Sequence, residues 1–238
     1  EIGVRLVGSE MCIRDRCICT GIVSAIDHHA KDSLLLQLKH TTVSAQRISI
    51  YRNLADICFE TPDEKTYLLG MYREAKKAGD TPMMLDALND LACGEAKEYR
   101  MDSAYHYMNL IKATHNVKEI IPLSAYLHMR FFDVLCSHNE TEEAIAKELQ
   151  FTEEKKSDAP SLYSKIVQAY ITGSSLHSNE MMKEALPYLE TAMNLSKQLP
   201  PEKRIKFVSM IVWKLSNIYS FLNECDLSLI HISEPTRR

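Results

Sequence analysis

The sequence predicts an all-α fold of paired helices, and three observations support this class. Glycine and proline are scarce, with 7 and 8 residues in a chain of 238. Apolar residues recur three and four positions apart, for example at Leu85, Leu88 and Leu91, which is the spacing of one face of an α-helix. We find no strict alternation of apolar and polar residues between turns, the pattern typical of a strand. About nine helices of ordinary length are therefore expected.

The two ends of the chain are excluded from the predicted fold, because they read as translated library DNA. Residues 6–16 spell LVGSEMCIRDR and residues 227–237 spell LSLIHISEPTR. The two strings resemble translations of opposite strands of one transposase-type sequencing adapter, and natural termini have no physical reason to be related in this way. Residues 1–16 and 227–238 are accordingly interpreted as adapter-derived. The natural segment is then about residues 17–226.

The first natural residues predict the remnant of an export signal. Residues 17–25 are small and apolar, and polar residues follow abruptly from Asp27. Val23-Ser24-Ala25 fits the small-x-small rule of signal-peptidase sites, so we expect a periplasmic or cell-envelope location. An ordinary buried segment is the alternative, and it would leave the protein in the cytoplasm. No other segment approaches the roughly 20 apolar residues that a membrane span requires.

Helices are predicted to begin at proline-containing segments that follow a lead-in helix or linker over residues 26–44. Thr61-Pro62-Asp63-Glu64 combines an N-cap threonine, proline at the first helical position and a glutamate that would complete a capping box. Weaker versions of this start signal occur at three further sites: Thr81-Pro82, Ala159-Pro160 and Pro200-Pro201.

In each predicted pair, a packing residue stands at the start of the second helix. Two further packing residues follow it, four and seven positions later. Four such sets, separated by 36, 40 and 41 residues, are Leu68, Tyr72 and Ala75; Ala104, Met108 and Ile111; Ala144, Glu148 and Phe151; and Ala185, Leu189 and Ala192. Twelve residues before the last three sets lie Ala92, Phe132 and Gly173. Small residues at these points would let two backbones approach closely. Gly173 with Ala185 is the clearest case, and Leu189 is expected to fill the space beside them.

This periodic pattern resembles the tetratricopeptide repeat, a helix–turn–helix unit of about 34 residues. The resemblance covers residues 45–226 and implies a right-handed solenoid of about four to five units, the last one truncated. The chain departs from the family pattern in its longer periods and in Phe132 and Glu148, which replace a small residue and an aromatic one. Pro187 lies inside a helix that it is expected to kink. A non-repetitive helical bundle remains the alternative fold.

Signals for catalysis, cofactors and metals are poor. The chain contains no GxSxG, glycine-rich phosphate loop or HExxH motif, so no enzymatic activity, cofactor or metal site is predicted. Asp133 and His177 are the one pair of a charged residue and a histidine that we consider as a candidate for catalysis. The net charge of −4 and the dispersed basic residues argue against nucleic acid as the ligand. The natural cysteines are interpreted as small buried hydrophobes: Cys17, Cys19, Cys58, Cys93, Cys136 and Cys225.

The repeat resemblance implies a groove lined by the first helix of each unit, where a protein or peptide partner would bind. Aromatic rings supply buried area in such grooves, and polar groups orient an extended backbone. Tyr170 and Trp213 are equally well explained as core residues between adjacent units. The family's groove positions fall on twelve residues: Arg52, Asp56, Asp86, Asn89, Tyr126, Met129, Asp133, Tyr170, Ser174, His177, Trp213 and Asn217.

An exported repeat array of this type is similar to the sensor regions of bacterial envelope regulators, particularly those of Bacteroidota. In such proteins a membrane helix and a DNA-binding or histidine-kinase module commonly follow the array. We therefore expect a non-enzymatic interaction scaffold that serves as the extracytoplasmic sensor of a larger regulator. A free-standing periplasmic assembly scaffold and a helical-bundle enzyme are the alternatives.

Overall fold

A computed structural model describes residues 28–114, 117–138 and 161–222 of the chain. All regular secondary structure in these ranges is α-helical, which confirms the predicted all-α class. The nine helices of the described ranges are α1 (His28–His40), α2 (Ser44–Ile57), α3 (Pro62–Ala78), α4 (Thr81–Lys97), α5 (Met101–Lys112), α6 (Val117–Ser137), α7 (Leu162–Ser178), α8 (Met182–Ser196) and α9 (Pro201–Phe221). The ends interpreted as adapter-derived, the predicted export signal and the packing set that begins at Ala144 lie outside the described residues.

The start of α3 uses the predicted signal only in part. Pro62 occupies the first turn of the helix, as predicted. The predicted capping box does not form, because the Thr61 hydroxyl donates instead to the carbonyl of Cys58 (2.7 Å). The Glu64 carboxylate accepts from the backbone N–H of Glu60 (2.8 Å), one residue before the expected donor.

Two other helices begin at side-chain caps close to predicted start signals. Asp80 accepts from the backbone N–H of Met83 (3.2 Å) at the start of α4, and Ser161 accepts from Ser164 (3.2 Å) at the start of α7. Each cap satisfies a backbone donor that has no partner within its own helix. Helix α9 begins at Pro201, as predicted.

Consecutive helices form hairpins, and the hairpins pack against the helices that follow them. The most extensive contacts within pairs join α2 with α3, α4 with α5, and α7 with α8. Helix α3 also packs on α4, and α8 packs on α9, while α6 contacts both α4 and α7. The core is divided accordingly, with one apolar cluster drawn from α4, α5 and α6 and another drawn from α6 to α9.

The hairpin of α7 and α8 depends on the absence of a side chain at Gly173. A Cβ atom there would lie 2.7 Å from Leu189 Cγ and 3.2 Å from the carbonyl oxygen of Ala185. Close-packed atoms do not approach so closely without a shift, and all three residues are buried. The predicted close approach of these two helices is therefore confirmed. Pro187 is exposed on α8, and the helix continues through it.

The turns of two hairpins have the same backbone geometry although they lie 81 residues apart. Tyr99 and Glu180 both adopt positive φ angles, 56° and 61°, just after the first helix of their hairpins. In each turn the next backbone N–H donates back to a carbonyl near the helix end, that of Glu95 (2.8 Å) or Leu176 (2.9 Å). This hydrogen bond is the Schellman arrangement that ends many helices. The α4–α5 and α7–α8 hairpins are therefore built alike at their turns.

The hairpin of α2 and α3 packs in a different register. Gly70 of α3 lies against the ring of Tyr51, and a Cβ atom there would overlap the aromatic carbons. Leu68 and Ala75 of the predicted packing set are buried, but Tyr72 is only partly buried and Met71 is buried completely. The middle position of this set is therefore displaced by one residue.

Candidate functional site

All twelve predicted groove residues lie in the described ranges, on helices α2, α4, α6, α7 and α9. Eight of them are partly or fully exposed: Arg52, Asp56, Asp86, Tyr126, Asp133, His177, Trp213 and Asn217. The other four are buried, because these positions are turned toward neighbouring helices: Asn89, Met129, Tyr170 and Ser174. The buried four do not present a side chain to a partner, and Met129 and Tyr170 belong to the apolar core.

Four residues that we call the Arg52 cluster (Arg52, Asp56, Asp86 and Asp90) join α2 to α4. Arg52 Nη1 lies 2.6 Å from Asp86 Oδ2 and 2.9 Å from Asp90 Oδ2. Arg52 Nε lies 3.3 Å from Asp56 Oδ1. Partial burial by itself would lower the pKa of Arg52, but the three carboxylates outweigh burial and raise it. One guanidinium therefore contacts three carboxylates at the junction of α2 and α4.

Asn89 lies on α4 beside this cluster and is almost completely buried, with 3% of its surface exposed. Its Nδ2 donates to Asp90 Oδ1 (3.2 Å). Its Oδ1 is also buried and has no hydrogen-bond partner among the described residues. A buried amide oxygen without a donor costs free energy, so this end of the surface retains an unsatisfied acceptor.

Four further residues, which we call the Asp133 cluster (Asp133, Tyr170, His177 and Lys214), join α6, α7 and α9. The Tyr170 hydroxyl donates to Asp133 Oδ2 (2.6 Å), and Lys214 Nζ lies 3.1 Å from Asp133 Oδ1. Burial raises the pKa of Tyr170 well above its ordinary value, and the charge of Asp133 raises it further. The Tyr170 hydroxyl therefore keeps its proton and acts as a hydrogen-bond donor.

Trp213 borders the Asp133 cluster and is 40% exposed. Lys214 Nζ lies 5.3 Å from the centroid of its ring, within the range of a cation–π interaction. Burial lowers the pKa of His177, and Lys214 lowers it further while Asp133 opposes both, so the imidazole is neutral at physiological pH. The predicted Asp133–His177 pair is therefore close enough to interact electrostatically. Asp133 is nevertheless engaged by Tyr170 and Lys214, which is the arrangement of a structural carboxylate.

Arg130 on α6 lies close to the Asp133 cluster. Partial burial by itself would lower its pKa, but the ionisable groups around it, Tyr126 first and then Cys93, Asp133 and Tyr170, raise it. Since Cys93 is on α4 and Tyr170 is on α7, the guanidinium lies among side chains from three helices. Arg130 therefore lies near a side chain of α4 as well as near the Asp133 cluster.

Sequence reasoning missed three charged residues of this surface, and each directly follows a predicted groove residue. A step of one residue turns a helical position by about 100°, which is enough to exchange a core position for a surface one. The missed residues are Asp90 after the buried Asn89, Arg130 after the buried Met129, and Lys214, which is itself buried, after the exposed Trp213.

The described residues contain no group of three or more His, Cys, Asp or Glu side chains placed to hold a metal ion. Burial, with a contribution from Lys112, lowers the pKa of His128 to about 3, so this imidazole is a neutral packing group. Cys58, Cys93 and Cys136 carry thiols rather than disulfide bonds, and Cys58 and Cys136 are buried as predicted.

Comparison of the chain with protein-family models, with curated proteins and with solved structures found no match. None of the described helices has both the length and the hydrophobicity needed to cross a bilayer. The interpretation of the site therefore depends on its own geometry, which comprises two charged clusters and one exposed tryptophan.

Proposed function

We propose that the chain is a non-enzymatic interaction protein, a tetratricopeptide-like array that binds a protein or peptide on the face formed by its first helices. The observation that carries the proposal is the pair of charged clusters, together with the exposed Trp213, on the helices taken as the first helices of the units. These side chains belong to α2, α4, α6, α7 and α9. A surface that extends over several stacked elements suits an extended partner.

The repeat interpretation is supported by the likeness of two hairpins. The α4–α5 and α7–α8 hairpins share their turn geometry at Tyr99 and Glu180. Each also opens its second helix with a completely buried alanine, Ala104 or Ala185. Their separation of 81 residues corresponds to two units of about 40 residues, and α6 supplies the first helix of the unit between them. The successive contacts of α4, α6 and α7 are those that stacked hairpins would make.

Trp213 is the residue of this face best suited to anchor a partner. Tryptophan is enriched among the few interface residues that carry most of the binding energy. The ammonium group of Lys214 packs against its ring, and Lys214 is itself held by Asp133. A side chain that is already held in place loses less conformational freedom when a partner binds.

A peptide-display screen against the full 238-residue chain tests this proposal. The Trp213→Ala variant should bind the selected peptides at least about tenfold more weakly, because truncating a central anchor costs about 2 kcal/mol. Tyr188→Ala is the matched control, since Tyr188 is 44% exposed but lies on the second helix α8. Failure to select any peptide, or an equal loss in the two variants, would contradict the proposal.

We also propose that the array is the extracytoplasmic sensor part of a larger bacterial regulator. The resemblance of the sequence to the sensor regions of envelope regulators suggests this role. The proposed binding face supports it, because a sensor needs a surface on which a ligand segment can bind. The uninterrupted gene tests it. A reading frame that stops soon after one more repeat, with neither a membrane helix nor a signalling module, would favour a free-standing scaffold instead.

A further inference from the structure

We propose that the cavity between α1, α2 and α3 binds a free α-amino acid with an aromatic side chain. The ammonium group of the ligand lies at Glu74, and its carboxylate lies at Arg73. This site goes beyond the proposed peptide-binding face and does not depend on it, because none of the twelve predicted groove residues lines the cavity.

The cavity has the size of a small-molecule site. Its volume is about 400 Å³, and its walls come from Leu38 of α1, from Arg47 and Tyr51 of α2, and from side chains between positions 66 and 74 of α3. Sites for small ligands hold about 300–1,000 Å³ and combine apolar walls with a few polar groups. The cavity lies at the small end of this range, which suits a ligand of the size of a single amino acid.

Glu74 supplies an acceptor for the ligand. Its Oε1 accepts from Arg47 Nε (3.0 Å), whereas its Oε2 is buried and has no hydrogen-bond partner among the described residues. A buried carboxylate oxygen without a donor costs free energy. An ammonium group in the cavity would donate to this oxygen, and a hydrogen bond between two charged groups is stronger than a neutral one.

Arg47 holds Glu74 in place and is itself engaged by the fold. Its Nη1 donates to the carbonyls of Leu38 and Thr41, both at 3.0 Å, and its Nη2 donates to the Tyr51 hydroxyl at 3.4 Å. The guanidinium is thus fixed between the end of α1, the body of α2 and the carboxylate on α3. A carboxylate of the ligand therefore needs a different cation.

Arg73 is that cation. It lines the cavity, follows directly before Glu74 on α3 and is exposed to solvent. Its Nε donates to the carbonyl of Leu69 (3.2 Å), and its Nη groups are suited to a carboxylate because a guanidinium is planar and presents parallel donors. Adjacent side chains of opposite charge match a ligand that carries an ammonium group and a carboxylate on one carbon. An α-amino acid has this arrangement.

Two tyrosine rings on the walls favour an aromatic side chain on the ligand. The ring of Tyr51 lies directly against Gly70, where a Cβ atom would overlap it. Lys31 Nζ lies 5.9 Å from the centroid of the Tyr67 ring and is held by Asp63 at 2.6 Å. Rings that are already held in place lose little conformational freedom when they pack against a ligand.

Isothermal titration calorimetry of the full chain with L-phenylalanine tests the proposal. Two analogues isolate the charged groups: phenyllactate has a hydroxyl in place of the ammonium group, and phenethylamine lacks the carboxylate. L-Phenylalanine should bind, and each analogue should bind at least about tenfold more weakly, because each loses one charge-assisted hydrogen bond. No binding of L-phenylalanine at concentrations up to about 10 mM, or equal affinity for the three compounds, would overturn the proposal.

Substitution of the exposed Arg73 tests the placement of the carboxylate. Arg73→Met should weaken the binding of L-phenylalanine about tenfold and leave that of phenethylamine unchanged. Lys77→Met serves as the comparison, since Lys77 is exposed on the same helix and does not line the cavity. Equal effects of these two substitutions on L-phenylalanine would also overturn the proposal.

Glu74→Gln tests the placement of the ammonium group and should weaken L-phenylalanine and phenethylamine alike. Because Glu74 also binds Arg47, urea unfolding checks the fold of this variant, and the comparison with phenyllactate on the unsubstituted chain tests the same contact without a mutation. None of these measurements uses the peptide-display screen, so failure of the proposed function is distinguishable from failure of this site.

Discussion

The hydroxyl of Tyr170 on α7 donates a 2.6 Å hydrogen bond to the carboxylate of Asp133 on α6. Tyr170 is completely buried, and the other oxygen of the same carboxylate lies 3.1 Å from Lys214 Nζ on α9. One carboxylate therefore connects three helices whose other contacts are mainly apolar. Because Lys214 also packs against the ring of Trp213, the placement of that exposed tryptophan depends on a buried hydrogen-bonded group.

Tyr170→Phe should destabilise the fold by about 1–2 kcal/mol, because Asp133 loses a donor that water cannot easily replace. The free energy of urea unfolding measures this change. Tyr188→Phe is the matched control, since Tyr188 is exposed on α8, and it should change stability by less than about 0.5 kcal/mol. Equal effects of the two substitutions would contradict a role for the Tyr170–Asp133 hydrogen bond.

A double-mutant cycle should show that Asp133 and Lys214 interact favourably. Lys214 is 5% exposed, and Lys214→Met removes the ammonium group that lies 3.1 Å from Asp133. The Asp133→Asn/Lys214→Met double variant should be less destabilised than the sum of the two single variants, by about 1–3 kcal/mol. Strict additivity of the three unfolding free energies would show that the 3.1 Å contact contributes nothing to stability.

Gly173→Ala and Gly94→Ala should change stability in opposite directions. The new methyl group at position 173 meets Leu189 Cγ at 2.7 Å, so we expect a loss of about 1–3 kcal/mol from overpacking. The Cβ at position 94 of α4 meets no atom within 4 Å, so alanine should stabilise that helix by about 0.5–1 kcal/mol. Thermal and urea unfolding of both variants check these signs, and a stable Gly173→Ala protein would mean that the hairpin readily opens.

The buried imidazole of His128 should make the fold less stable in mild acid. Burial, with Lys112, lowers its folded pKa to about 3, whereas an unfolded chain has a histidine pKa of about 6.5. Between these values the unfolded chain binds a proton that the folded chain excludes, so stability falls as the pH drops below about 6.5. This histidine alone should account for a loss of about 2 kcal/mol between pH 7 and pH 5.

Urea unfolding at several pH values tests the role of His128. His128→Gln should remove this part of the pH dependence, because glutamine does not titrate. His106→Gln, at an exposed position of α5, should retain it. An unchanged pH dependence in His128→Gln would show that the folded chain admits the proton.

The helical class and the tight approach of α7 and α8 could be predicted from the sequence, because both depend on local patterns. The spacing of Leu85, Leu88 and Leu91 places these residues on one face of a helix wherever that helix packs, and all three are buried. A helical hairpin of ordinary length is enough to bring Gly173 and Ala185 together.

The identity of the surface residues was decided by the tertiary structure. Asn89 and Met129 were predicted as groove residues but are buried, whereas the neighbouring Asp90 and Arg130 are partly exposed. The rotation of a helix about its axis is set by all the side chains that pack against it, including those of helices far away in sequence. The partners of Arg52 on α4 and of Asp133 on α7 and α9 are fixed by that rotation. Local sequence determines that a helix forms and which stripe is apolar, whereas only the packed assembly determines which charged atoms meet.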